Sequence, residues 1–127
     1  MKGNTMDKTP AEIFKSTLSA EMLGTTEAER GIVAVLKDAA HAIHSVTNAR
    51  TVVAPCVETK WRGYMLSVIF GGMARAIVAI DVVGEAFMVR CGPVNTPAST
   101  HAEVVAAVER ALRVKAETIA VAGAFGG

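Results

Sequence analysis

The stretch MLSVIFGGMARAIVAIDVV, Met65 to Val83, decides the fold. It is almost wholly apolar, and three readings compete: a membrane span, a buried helix or a pair of strands. A spanning helix needs about 20 apolar residues with few or no charges. Here Arg75 and Asp81 interrupt the run, and Gly71-Gly72 separates two β-rich halves. A Gly-Gly pair between such halves is a two-residue hairpin signal. Folding the chain about that pair sets Phe70 opposite Met73, Val68 opposite Arg75, Leu66 opposite Ile77 and Tyr64 opposite Ala79. Arg62 then lands opposite Asp81. One face collects Trp61, Gly63, Met65, Ser67 and Ile69 against Ala74, Ala76, Val78, Ile80 and Val82, with no charge. The charged residues fall together on the other face, and a slip of one residue would scatter them. The stretch therefore predicts a β-hairpin.

The pattern continues downstream. VVGEAFMVRCG contains a second tight turn near Gly84. A two-residue loop there adds Phe87, Val89 and Cys91 to the uncharged face and Met88 and Arg90 to the charged one. Upstream, RTVVAPCVET is short and β-branched, and Pro55 marks it as an edge or bulged strand because proline cannot donate to a ladder.

Helices flank the strands. TPAEIFKSTLSAEMLG has Thr9 as cap, Pro10 at the first helical position and Glu12 at capping-box spacing, with Gly24 as a stop. Ile13, Phe14, Thr17, Leu18 and Met22 share one side. TTEAERGIVAVLKDAAHAIHSVTN repeats the signal with Thr26 and Glu29, and Ile32, Leu36, Ile43 and their apolar neighbours keep a helical period. Asn48 suits a left-handed end. After the Pro/Asn/Thr-rich loop GPVNTPAST, Thr100 and Glu103 open a third helix with Val104, Val108, Ala111, Leu112 and Ile119 as its stripe. The predicted fold is α+β: helix, helix, four-stranded antiparallel meander, helix, with helices packed on one sheet face. Residues 1–8 are expected to be a disordered leader, residues 9–122 a single domain and residues 123–127 a flexible tail.

The run from the second helix through VETKWRGYMLSVIFGGMARAIVAID resembles in outline the roadblock-type dimerisation domains, which also place hydrophobic antiparallel strands between helices. The resemblance lacks that family's initial strand pair, and no residue roles carry over from it.

The totals narrow the function. The chain has 127 residues, 51% hydrophobic and 20% charged, with a net charge of +1. That fits one domain with a real core, and it argues against a broad basic surface for duplex DNA. The two cysteines, Cys56 and Cys91, form no Cys-x-x-Cys pair and read as buried free thiols. The first residues carry charges and no apolar core of a secretory signal, so a cytoplasmic location is expected. No Walker loop, dinucleotide fingerprint or nucleophile elbow occurs, and no cofactor is implied. The reading leans away from an enzyme.

The charged sheet face is the informative feature. Arg62, Tyr64, Arg75, Asp81, Met88 and Arg90 are expected to line a contact face, where arginines meet carboxylates or phosphates and Tyr64 and Met88 supply apolar area. The bland alternative is an open sheet face with Arg62–Asp81 as a cross-strand ion pair. The functional expectation is a small non-catalytic binding or adaptor module, a homo-oligomer or a partner-binding protein. A single-stranded nucleic-acid binder is the alternative, with Tyr64 and Phe70 as stacking platforms. A small-ligand binder or enzyme with a pocket between sheet and helices is a second. Asp38, His41 and His44, spaced by three along the second helix, are a weak metal candidate. Successive steps of three turn Asp38 and His44 apart, so a polar helix flank is the simpler reading.

Overall fold

Two capping boxes set where the main helices begin. Thr26 accepts from the Glu29 backbone N–H, and Glu29 returns a carboxylate to the Thr26 N–H. Thr100 and Glu103 do the same further on. In a computed structural model of the chain, which describes residues 9–22, 26–56 and 62–126, these boxes start α2 (Glu27–Thr47) and α3 (His101–Val114). A shorter helix, α1 (Pro10–Met22), precedes them, and α4 (Ala116–Gly126) follows. Asn48 ends α2 in the left-handed conformation, as its side chain predicts. The leader at residues 1–8, the stop at Gly24 and the placement of Trp61 lie outside the described residues.

Five strands lie between α2 and α3: β1 (Arg50–Pro55), β2 (Arg62–Phe70), β3 (Met73–Val83), β4 (Ala86–Cys91) and β5 (Val94–Ala98). They form one antiparallel sheet in the order β1-β2-β3-β4-β5. The α+β meander with helices against the sheet is as expected, with one more strand. That strand is VNTPA, whose Asn and Pro suggested a loop. It sits at the sheet edge, where Pro97 costs no inner ladder bond. The other edge is β1, which holds Pro55. The third helix is broken at Lys115, and helix continues through Gly126, past the position where the sequence suggested a tail.

The Gly-Gly hairpin forms with Phe70 opposite Met73 and Val68 opposite Arg75. Both glycines take positive φ, 61° and 73°, as a type I′ turn requires. Beyond Ser67–Ala76 the register departs from the sequence reading. Leu66 pairs with Val78, not Ile77, and every later pair is displaced by one residue. A β-bulge at Ile77–Val78 accounts for this, because an extra residue in one strand reverses the side on which its later side chains emerge. The sheet face beneath the helices therefore joins Tyr64, Leu66 and Val68 to Val78, Ile80 and Val89. These are all buried in one core with Leu36, Ile43 and Val104. The sequence places the β3 and β4 members of that face correctly and the β2 members on the wrong side.

Candidate functional site

The face on which none of the described helices packs is ordered in rows across the sheet. One row is Ala54, Met65, Ala79, Arg90 and Asn95, and the next is Gly63, Asp81, Met88 and Pro97. At the hairpin end, Val52, Ser67 and Ala76 continue it. Most of these are small or apolar. At the centre Asp81 is fully buried, and Arg90 grips it with Nε–Oδ2 at 2.7 Å and Nη2–Oδ1 at 3.2 Å. The same Nη2 approaches Cys56 Sγ at 3.6 Å. Asp81 holds the Arg90 guanidinium proton more tightly than usual, chiefly through this hydrogen bonding.

Gly63 makes the arrangement possible. It faces Asp81 directly across the ladder, and a Cβ there would overlap Asp81 Oδ1 and press on the Ile80 carbonyl at 3.0 Å. The missing side chain is the slot in which the carboxylate lies. A cavity of about 190 Å³ opens beside Arg90, bordered by Met65, Ala76, Ala79 and Lys115.

The six residues expected to line one face are divided by the bulge. Asp81, Met88 and Arg90 are together on the open face. Tyr64 lies in the core at 1% exposure. Arg62 is on the helix side, where its Nε meets Glu29 Oε2 at 2.8 Å. Arg75 stands over the Phe70 ring at 5.2 Å, also on the helix side. The expected pairing of Arg62 with Asp81 does not form, because the displaced register sets Gly63 opposite Asp81 and gives Arg62 to Val82. Neither Tyr64 nor Phe70 offers a ring on the open face for a base to stack on.

The remaining candidates are dispersed. Asp38 and His41 are exposed on α2, while His44 Nδ1 lies 3.2 Å from the Ala49 carbonyl oxygen. Among the described residues no cluster of three His, Cys, Asp or Glu side chains could hold a metal ion. Cys56 is on the open face and Cys91 packs against the core, so the two thiols are on opposite sides of the sheet. Among the described residues no helix is long and apolar enough to cross a membrane.

A second concave region was not singled out from the sequence. Two adjoining cavities of about 290 and 380 Å³ follow the groove between α2 and α3 and share Val35 and His101. Their lining is mostly apolar, with Asp38, Glu109 and Glu27 as acidic members. The apolar stripes of both helices were legible. The distance between the helices was not, and it is that distance which makes the groove.

Comparison of the chain with family models, with curated proteins and with solved structures finds no match.

Proposed function

We propose that this chain is a small, cytoplasmic, non-catalytic binding module that self-associates through the open face of its sheet. One observation carries the reading: a sheet face with no helix packed on it among the described residues, made of small and apolar side chains around an ion pair that is already satisfied. Sheets pack face to face about 10 Å apart, and alanines such as Ala54, Ala76 and Ala79 suit so close an approach. The Asp81–Arg90 pair is net neutral, so a second copy meets no uncompensated charge at the centre. Association along the sheet edges is disfavoured by Pro55 and Pro97, each in an edge strand. The test is the solution mass of Ala76→Arg, a change at an exposed site on this face. Light scattering is expected to show half the wild-type mass. Equal masses for the two proteins would count against the sheet face as the association surface.

A further inference from the structure

We infer that the groove between α2 and α3 receives the α1 helix of a second copy, in a reciprocal exchange of arms. This surface is separate from the open sheet face and lies on the opposite side of the sheet.

The donor is bare. Every described side chain of α1, from Pro10 to Leu18, is exposed, with Ile13 at 47%, Phe14 at 64% and Leu18 at 57%. At about 100° per residue, Ile13, Phe14, Thr17 and Leu18 share one side of the helix. Glu12 points the other way, and Lys15 lies on the flank next to Leu18. An amphipathic helix with no described residue packed against its apolar side is a donor for a groove.

The acceptor is a groove with a buried apolar floor and exposed walls at Gly31, Ala34 and Val105, and its dimensions match. The thirteen residues of α2 that frame it run from Glu27 to Ala39, about 20 Å of helix at 1.5 Å per residue. The thirteen residues of α1 span about 20 Å on the same rise. Its floor is apolar, including Ile32, Val35, Phe87, Val104 and Val108. One wall offers close approach: Ala28, Gly31 and Ala34 have little or no side chain, and a Cβ added at Gly31 would meet nothing within 4 Å. A glycine inside a long helix weakens it, and room for a neighbouring helix gives this one a reason.

Charge agrees. The ionisable lining groups are Glu27, Asp38 and Glu109 against His101, while the flank of α1 brings Lys15 to that rim. A chain carrying both an exposed donor helix and a groove to receive it makes an isologous pair, in which each copy gives one arm and takes one. With the open sheet face as an independent second two-fold contact, the smallest closed assembly has four chains.

The experiment is light scattering on four full-length proteins: wild type, Phe14→Lys, Ala76→Arg and the two changes combined. Both substitutions are at exposed positions, so the fold is retained. The expected masses are four chains for wild type, two for either single variant and one for the combination. Val105→Lys, on the acceptor wall, is expected to match Phe14→Lys. If Phe14→Lys is a monomer and Ala76→Arg keeps a two-chain wild-type mass, arm exchange stands and the sheet-face reading falls. If Phe14→Lys keeps the wild-type mass, arm exchange is overturned. Amide exchange then identifies the cause: faster exchange over residues 10–22 in Phe14→Lys means the arm fills its own groove, and no change means the groove has no helical occupant from this chain.

Discussion

Replacing Arg90 with methionine removes the one charged partner that the fully buried Asp81 has among the described residues and keeps most of the apolar stem. The size of the loss follows from where the pair lies. Breaking a deeply buried ion pair costs about 3–5 kcal/mol, whereas an exposed pair contributes under about 1 kcal/mol. Asp81 is 0% exposed and Arg90 is 30% exposed. The carboxylate is thus stranded without water, although solvent already screens part of the guanidinium. A loss of about 2–3 kcal/mol is expected, a fall in Tm on the order of 10 °C for a domain of this size. Urea unfolding at neutral pH, followed by circular dichroism, measures it. The combined variant Asp81→Val, Arg90→Met is expected to recover to within about 1 kcal/mol of wild type, since neither charge is then left unpaired. A loss under about 1 kcal/mol, or a combined variant as weak as Arg90→Met, would refute the claim that Asp81 depends on this one contact.

Further expectations concern single positions. Gly63→Ala is expected to cost about 2 kcal/mol through overlap with the Asp81 carboxylate, and less when Asp81 is also alanine; equal costs in the two backgrounds would show that the Ile80 carbonyl is the obstacle. Gly31→Ala fills open space on α2 and should stabilise an isolated monomer by about 0.5–1 kcal/mol, while lowering the assembly's mass if α1 packs there closely. Glu12 accepts from the Thr9 backbone N–H at 3.0 Å and from its hydroxyl at 3.2 Å, and these bonds, the backbone one foremost, hold its carboxyl below the ordinary value. Its contribution is complete above the unfolded pKa and is lost as pH falls through the lower folded one. Amides at the start of α1 should therefore exchange relatively faster in acid, and Glu12→Gln should remove that pH dependence.

The elements were legible wherever local chemistry governs them. Thr26–Glu29 and Thr100–Glu103 reveal two helix starts, Gly71-Gly72 reveals the hairpin, and Pro55 reveals an edge strand. The bulge was not legible, because Ile77 and Val78 are both apolar and an alternating pattern cannot show which of them is the extra residue. The presumed Arg62–Asp81 pair made the unbulged register look well supported, yet each residue has a different partner, Glu29 and Arg90. Strand β5 was hidden by turn-forming composition that an edge position tolerates. The break at Lys115 has no glycine or proline to announce it. It follows from packing: α4 turns back to place Ile119 and Ala122 in the core and Gly123 against the Thr47 carbonyl. The candidate site was half legible for the same reason as the sheet. Asp81, Met88 and Arg90 lie beyond the bulge from Arg75, and sequence alternation alone could not separate them.

The bulge also determines which sequence changes β3 tolerates. Side chains along a strand obey an odd–even rule, and Ile77 inverts that rule halfway through the strand. Deleting this one residue would restore plain alternation and keep the pairings on both sides of it, with Leu66 still opposite Val78 and Gly63 still opposite Asp81, so Ile80 stays in the core and Asp81 on the open face. Deleting a residue nearer Gly84 while the bulge remains would instead turn the residues beyond the gap inside out. In a comparison of divergent versions of this chain, single-residue deletions in β3 should therefore fall at the bulge, with no compensating change nearer Gly84.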